Sequence, residues 1–111
     1  MKTPDIEIYV KDADMTEIES WLKESFSDVQ LPAHIQQIFM KGKTIRATVG
    51  NNSGTTELII TPQAAGKAFC SIWFKRNISD WENDESCAQS LLSRADVEIR
   101  CSASGWSEQE E

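Results

Sequence analysis

The sequence is poor in residues that build catalytic and metal sites. It has one histidine, His34, and three cysteines, Cys70, Cys87 and Cys101, none at a CxxC or HxxxH spacing from another. An odd number of widely spaced cysteines is a weak disulfide framework and fits a reducing compartment. We therefore expect buried thiols, no metal, no cofactor and no catalysis. An enzyme would require His34 to lie near a cysteine or carboxylate in a pocket.

Long apolar stretches are also missing. No apolar run approaches the length of a membrane span, and the first residues lead into an alternating pattern without the apolar core of a secretory signal. We therefore expect a cytoplasmic chain that does not enter a membrane. Its 111 residues, 40% of them hydrophobic and 26% charged, suit one globular domain. The predicted division is a single domain at 1–103 and an acidic tail at 104–111.

Acidic residues are scarce in the middle of the chain. Residues 29–79 hold six lysines and arginines against one acid, Glu57, whereas the flanks hold five basic and seventeen acidic residues. This sorting separates a middle segment that could meet an anion from acidic flanks that would repel one. The net charge of −7 and a pI of about 4.7 oppose nonspecific attraction to nucleic acid.

Hydrophobic periodicity predicts a helix between two strand regions in the first half of the chain. Residues 5–11 alternate between apolar and polar, which is the pattern of a half-buried strand. Asp14 with Glu17 and Thr16 with Glu19 are both capping-box candidates for the helix start. Apolar residues from Met15 to Phe26 then recur at spacings of three and four. The apolar run 35–40 is predicted to be the first strand of an antiparallel meander.

Three more strands of the meander are predicted at 44–49, 55–61 and 68–74, separated by turn residues. Ser79 and Glu82 have the spacing of a capping box that starts a second helix, and residues 96–102 alternate again. The predicted order is β-α-β-β-β-β-α-β. Two amphipathic helices and one sheet make an α+β two-layer sandwich, with a largely antiparallel sheet and both helices packed on one face.

Two surfaces are candidates for binding. The sheet face away from the helices is open, and it is predicted to carry Trp73 with Arg46 and Arg76, an aromatic group and two cations that can stack bases and contact phosphates. The second surface consists of the acidic helix faces. Its residues are Glu17, Glu24, Asp80, Asp84 and Glu85. Trp106, among the glutamates of the tail, is a further candidate anchor for a partner.

At the level of class, the chain resembles the small acidic cytoplasmic α+β proteins that bacteria use as immunity proteins and inhibitors. Acidic helices can cover a basic effector surface, and complementary charge speeds association. The resemblance implies a non-enzymatic protein-binding module whose partner is another protein, a basic one if the helix faces make the contact. The alternative is a domain that binds nucleic acid or a small anionic ligand through the open sheet face. The sequence leaves the contact face and the oligomeric state open.

Overall fold

The computed structural model describes residues 2–64, 69–94 and 98–101, with Cys101 described by its backbone alone. Within these residues the strands are β1 (Ile6–Lys11), β2 (Asp28–Gln30), β3 (Ile45–Asn51), β4 (Gly54–Thr61), β5 (Phe69–Phe74) and β6 (Ile99–Cys101). The helices are α1 (Met15–Ser25), α2 (Ile35–Met40) and α3 (Asp84–Leu92). No described helix has both the length and the apolar character needed to cross a bilayer.

All six strands form one antiparallel sheet in the order β2-β3-β4-β5-β1-β6. Alternate residues of each strand point to one face and join the helices in a single apolar core. From the helices this core takes Met15, Ile18, Trp21 and Leu22 of α1 and Cys87, Ala88 and Leu91 of α3. The α+β class, the two layers and the antiparallel sheet are therefore confirmed, and the tail at 104–111 lies outside the described residues.

Residues 35–40 were expected to form a strand, and this assignment is wrong because they form α2. His34, which precedes the helix, has a left-handed backbone with a φ of 58°. Ile35 is buried, while Ile38 and Phe39 are half-buried against the core, which is the spacing of one helix side. A six-residue apolar run is too short for periodicity to separate helix from strand. The strand that completes the six-stranded sheet is instead β2, which was not predicted and which pairs with β3.

The second predicted helix begins later than its capping pattern suggested. Its N-cap is Asn83, whose side chain accepts a hydrogen bond from the backbone N–H of Ser86 at 2.9 Å. Ser79 is buried and its hydroxyl accepts from the Trp81 N–H at 3.0 Å, so it closes a local turn. Serine makes this bond as readily in a turn as at a helix start, which is why the pattern misplaced the boundary.

Four aromatic rings pack together where the helix layer meets the sheet. Trp21 of α1 stacks on Trp81 with 5.4 Å between ring centroids, and it meets Phe74 of β5 edge-on at 6.3 Å. Phe26 contacts both Phe74 and Trp81. The Trp21 indole N–H donates to the Ser90 hydroxyl at 3.0 Å, which ties α1 to α3. The connection that contains Trp81 is therefore part of the core, although it belongs to no helix or strand.

Candidate functional site: the open sheet face

The sheet face opposite the helices, here called the open face, is formed by the alternate residues that do not enter the core. Its residues are Asp5, Glu7, Tyr9, Lys11, Asp28, Gln30, Arg46, Thr48, Gly50, Thr55, Glu57, Ile59, Thr61, Phe69, Ser71, Trp73, Lys75, Glu98 and Arg100. The side chain of Arg46 is 67% exposed and that of Arg100 is 51% exposed. No element in the described part of the chain covers this face.

The centre of the open face is a row of four residues on neighbouring strands. The strand register places Arg46 beside Ile59, Ile59 beside Trp73, and Trp73 beside Glu7. Trp73 is half-buried, and its indole N–H donates to the Asp5 carboxylate at 2.9 Å. The Lys75 ammonium lies 5.7 Å from the centroid of the same ring. An aromatic and an aliphatic side chain therefore occupy the middle of the face, with ions at the two ends of the row.

Two basic residues of the sheet, Arg46 and Lys75, are paired with the same carboxylate within the face. Glu57, the one acid of the 29–79 segment, accepts from Arg46 at 2.8 Å and from the Lys75 ammonium at 3.0 Å. Hydrogen bonds from Lys75 and then from Arg46 lower the pKa of Glu57 below its ordinary value. The excess of positive charge seen in the middle of the sequence is thus offset at the surface where it would otherwise attract an anion.

On the β1 and β6 side, Glu98 pairs with Lys11 at 3.7 Å and with Arg100 at 3.3 Å. Taken as a whole, the open face carries four cationic and five anionic side chains. The cations are Lys11, Arg46, Lys75 and Arg100, and the anions are Asp5, Glu7, Asp28, Glu57 and Glu98. The face therefore carries nearly balanced charge at neutral pH, with one more anion than cations.

A hydrogen-bonded group of three side chains lies next to Trp73. The Glu7 carboxylate accepts from the Tyr9 hydroxyl at 3.2 Å and from the Ser71 hydroxyl at 3.0 Å. Burial, followed by the charge of Glu7, raises the pKa of Tyr9, so its hydroxyl stays a neutral donor. These contacts position Glu7 at one end of the central row. The alternation of β1 indicated that Glu7 and Tyr9 share a face, but the position of β1 beside β5 was visible only in the structure.

Two of the three residues predicted for the sheet surface come together. Arg46 and Trp73 lie in the same row with Ile59 between them. Arg76 lies elsewhere: its guanidinium donates to the Thr55 carbonyl oxygen at 3.0 Å, near the turn between β3 and β4. Ile59 was missed because it sits in an apolar run, Leu58–Ile60, that does not alternate in hydrophobicity.

The predicted acidic helix surface is less continuous than the sequence suggested. Glu17 and Glu24 both pair with Arg94, which follows α3. The hydrogen bonds that the guanidinium donates to Glu24 and then to Glu17 raise its pKa. Asp84 is only 4% exposed, and its carboxylate accepts from the Glu7 backbone N–H at 3.1 Å. Asp84 is therefore a structural group and does not belong to an exposed surface. Glu85 is exposed on α3 as predicted, whereas Asp80 is exposed but precedes α3 and lies on no helix face. Trp106 lies outside the described residues.

A hollow of about 240 Å³ borders the open face at its Phe69 end. Asp12, Met40 and Cys70 are among its lining residues. Burial raises the pKa of Cys70 to about 12, so the thiol stays protonated at neutral pH and is not activated as a nucleophile. His34 is exposed, and the described residues include no group of three histidine, cysteine or acidic side chains arranged to hold a metal ion. Among the described residues that line the hollow, the cysteine is therefore not an activated nucleophile.

The buried Cys70 thiol gives a pH dependence that can be measured. Its pKa is about 12 in the folded chain against an ordinary value of 9.0, so the neutral thiol is favoured by folding. The contribution of the neutral thiol to the free energy of unfolding is fully present below pH 9.0, and it is lost as the pH rises from there towards 12. In denaturant titrations of wild type and Cys70→Ala, we expect the wild type to lose free energy of unfolding more steeply over this range. Equal slopes would contradict the buried position of Cys70.

Comparison with known proteins gives this chain no family. No protein-family model matches it, and neither the curated proteins nor the solved structures contain a significant match. Its function is therefore inferred from the geometry of the open face.

Proposed function

We propose that the chain is a non-enzymatic protein-binding module that makes contact through its open face. The observation that carries this proposal is the central row, in which the half-buried Trp73 and the more deeply buried Ile59 lie between Arg46 and Glu7 on a sheet surface that no described element covers. Protein interfaces have this composition, with aromatic and aliphatic groups at the centre and a polar rim that retains water. Tryptophan and arginine are also the residue types that most often dominate binding energy.

The balance of charge favours a protein partner over nucleic acid. Binding to a phosphate backbone depends on cations that release counterions, and it weakens when those cations are already paired. Arg46 and Lys75 share Glu57, and Arg100 pairs with Glu98. A face of mixed and nearly balanced charge is instead complementary to another face of mixed charge, which provides specificity of partner and register.

The finer proposal is that this module works in the cytoplasm, as bacterial immunity proteins and inhibitors do. Cys70 is a buried free thiol, which suits a reducing compartment. We favour the open face over the acidic helix faces as the contact because Asp84 is buried and Arg94 occupies Glu17 and Glu24. A strongly basic partner is then not required.

A capture experiment with matched variants tests the contact face. Immobilised wild type, the double variant Trp73→Ala with Arg46→Ala, and the helix-side control Asp80→Ala with Glu85→Ala would each be exposed to nuclease-treated extract of the native cell. We expect one stoichiometric protein to be retained by wild type and control. Loss of two interface side chains should weaken its binding to the double variant by about tenfold or more. Circular dichroism would confirm that all three proteins are folded.

Two results would contradict the proposal. Loss of the captured protein from the Asp80 and Glu85 variant alone would assign the contact to the acidic helix side. Retention that disappears after nuclease treatment and returns with added RNA would support the alternative, an anionic ligand on the sheet face.

A further inference from the structure

The open face is complementary to itself, and from this geometry we infer that its partner is a second copy of the chain. The inference rests on the proposed function, since it names the partner of the same face. The two copies would pack face to face about a twofold axis that lies in the interface, parallel to the strands and between β4 and β5. Such an axis exchanges residues that are equally distant from it on the two sides of the sheet.

The central row shows the complementarity most directly. From β3 to β1 it reads Arg46, Ile59, Trp73, Glu7, and the axis passes between Ile59 and Trp73. A half-turn brings Arg46 of one copy over Glu7 of the other, and Ile59 over Trp73. Each cation therefore meets an anion, and each apolar group meets an apolar group, twice in the same interface.

The next row repeats the relation. Thr48 pairs with Glu57 in the register of β3 and β4, and Lys75 follows β5 opposite Glu57, to which its backbone N–H is hydrogen-bonded at 3.0 Å. Asp5 continues the row on the β1 side, where its carboxylate meets Trp73. The half-turn places Glu57 of one copy over Lys75 of the other, and Thr48 over Asp5. Both juxtapositions are favourable.

The third row allows the two sheets to approach. Thr61 pairs with Ser71 across β4 and β5, so the half-turn places one small hydroxyl residue over another. Packed sheets lie about 10 Å apart and tolerate an angle of about 30° between their strands. Within one copy Ile59 is only 9% exposed and Ser71 only 6%, whereas Trp73 and Thr61 are half-buried. Trp73 and Thr61 therefore make the contact at the centre, and the ions form a charged rim around them.

The size of the face sets the expected strength. Six strands about 4.8 Å apart and about six residues long cover roughly 25 by 20 Å, so two copies would bury on the order of 1,000 Å² in total. This lies at the low end of specific interfaces. We therefore expect a reversible dimer with a dissociation constant on the order of micromolar.

Charge reversal in the second row gives a selective test, read by sedimentation equilibrium over a range of protein concentrations. In Glu57→Lys the introduced ammonium faces Lys75 of the other copy, and in Lys75→Glu the introduced carboxylate faces Glu57, so each variant alone should be monomeric. In an equimolar mixture, the two cations of one variant face the two anions of the other at both contacts, so a heterodimer should form. Wild type and the helix-side control Lys23→Glu should both dimerise, because Lys23 is exposed on α1.

A wild type that is monomeric at all concentrations would overturn the inference that the partner is a second copy. Dimers of both charge-reversed variants would also overturn it. So would an equimolar mixture that stays monomeric while circular dichroism shows that both variants are folded. Trp73→Ala provides a second variant, which should also weaken the dimer. These failures differ from failure of the proposed function. A monomeric wild type that still retains another protein through Trp73 and Arg46 would leave the binding module intact and exclude only the second copy as its partner.

Discussion

Replacing Trp21 with alanine is expected to lower the free energy of unfolding by about 3–5 kcal/mol. The side chain is 1% exposed, stacks on Trp81 at 5.4 Å and meets Phe74 edge-on. Truncation removes these contacts, leaves a cavity beneath α1 and takes away the donor that binds the Ser90 hydroxyl. Because domains of this size are stable by only about 5–15 kcal/mol, the loss would remove a large share of the total.

Urea denaturation followed by far-ultraviolet circular dichroism would measure this loss. Trp73→Ala is the matched control, since it removes the same side chain from the half-buried open face. We expect it to cost about 1 kcal/mol or less, because most of its contacts are at the surface. Similar costs at the two positions would contradict the packing of α1 and Trp81 over the sheet.

Replacing Asp84 with alanine is expected to cost about 2–3 kcal/mol, the second largest effect. Its carboxylate is buried and accepts from the Glu7 N–H at 3.1 Å. That N–H points to the same side of β1 as the Lys11 N–H, which donates to the Glu98 carbonyl oxygen at 2.8 Å. The Asp84 carboxylate thus accepts the hydrogen bond that a longer β6 would accept at the end of its pairing with β1. It also stabilises the first turn of α3.

Glu85→Ala is the control for this measurement, because Glu85 is the next residue of the same helical turn and is exposed. Its loss should change the free energy of unfolding by about 0.5 kcal/mol or less. Asp84→Asn keeps an acceptor oxygen but removes the negative charge. Its cost should therefore lie between the costs of Asp84→Ala and Glu85→Ala. A negligible effect of Asp84→Ala would show that the hydrogen bond between the Glu7 N–H and the carboxylate does not stabilise the fold.

Periodicity located the elements whose two faces differ strongly. In β1 and β3 the buried residues alternate with polar ones, and in α1 they recur at three and four, so these elements could be assigned from the sequence. The run 35–40 could not, because six residues complete fewer than two helical turns. The start of α3 was misplaced because Ser79 and Asn83 are both capable of capping. In the structure Ser79 accepts from the Trp81 N–H in a turn, and Asn83 caps the helix.

The candidate site was partly visible in the sequence. Trp73 and Arg46 were identified from residue type and strand position. Their grouping with Ile59 and Glu7 was not, because it depends on which strands are neighbours in the sheet. The acids of the helices show the same limit. Glu17 and Arg94 are 77 positions apart, and no local pattern indicates that they form a pair.

By itself, the amino-acid sequence determined the class of the fold, since an alternating or helical pattern is a property of adjacent residues and dictates which face each element must bury. It also determined the division into a basic middle and acidic flanks. Only the tertiary structure decided what those charges do. Strand pairing brings Glu57 between Arg46 and Lys75, turns Asp84 inward to Glu7 and leaves a face of nearly balanced charge centred on Trp73. Contacts between residues distant in sequence form only when the sheet assembles.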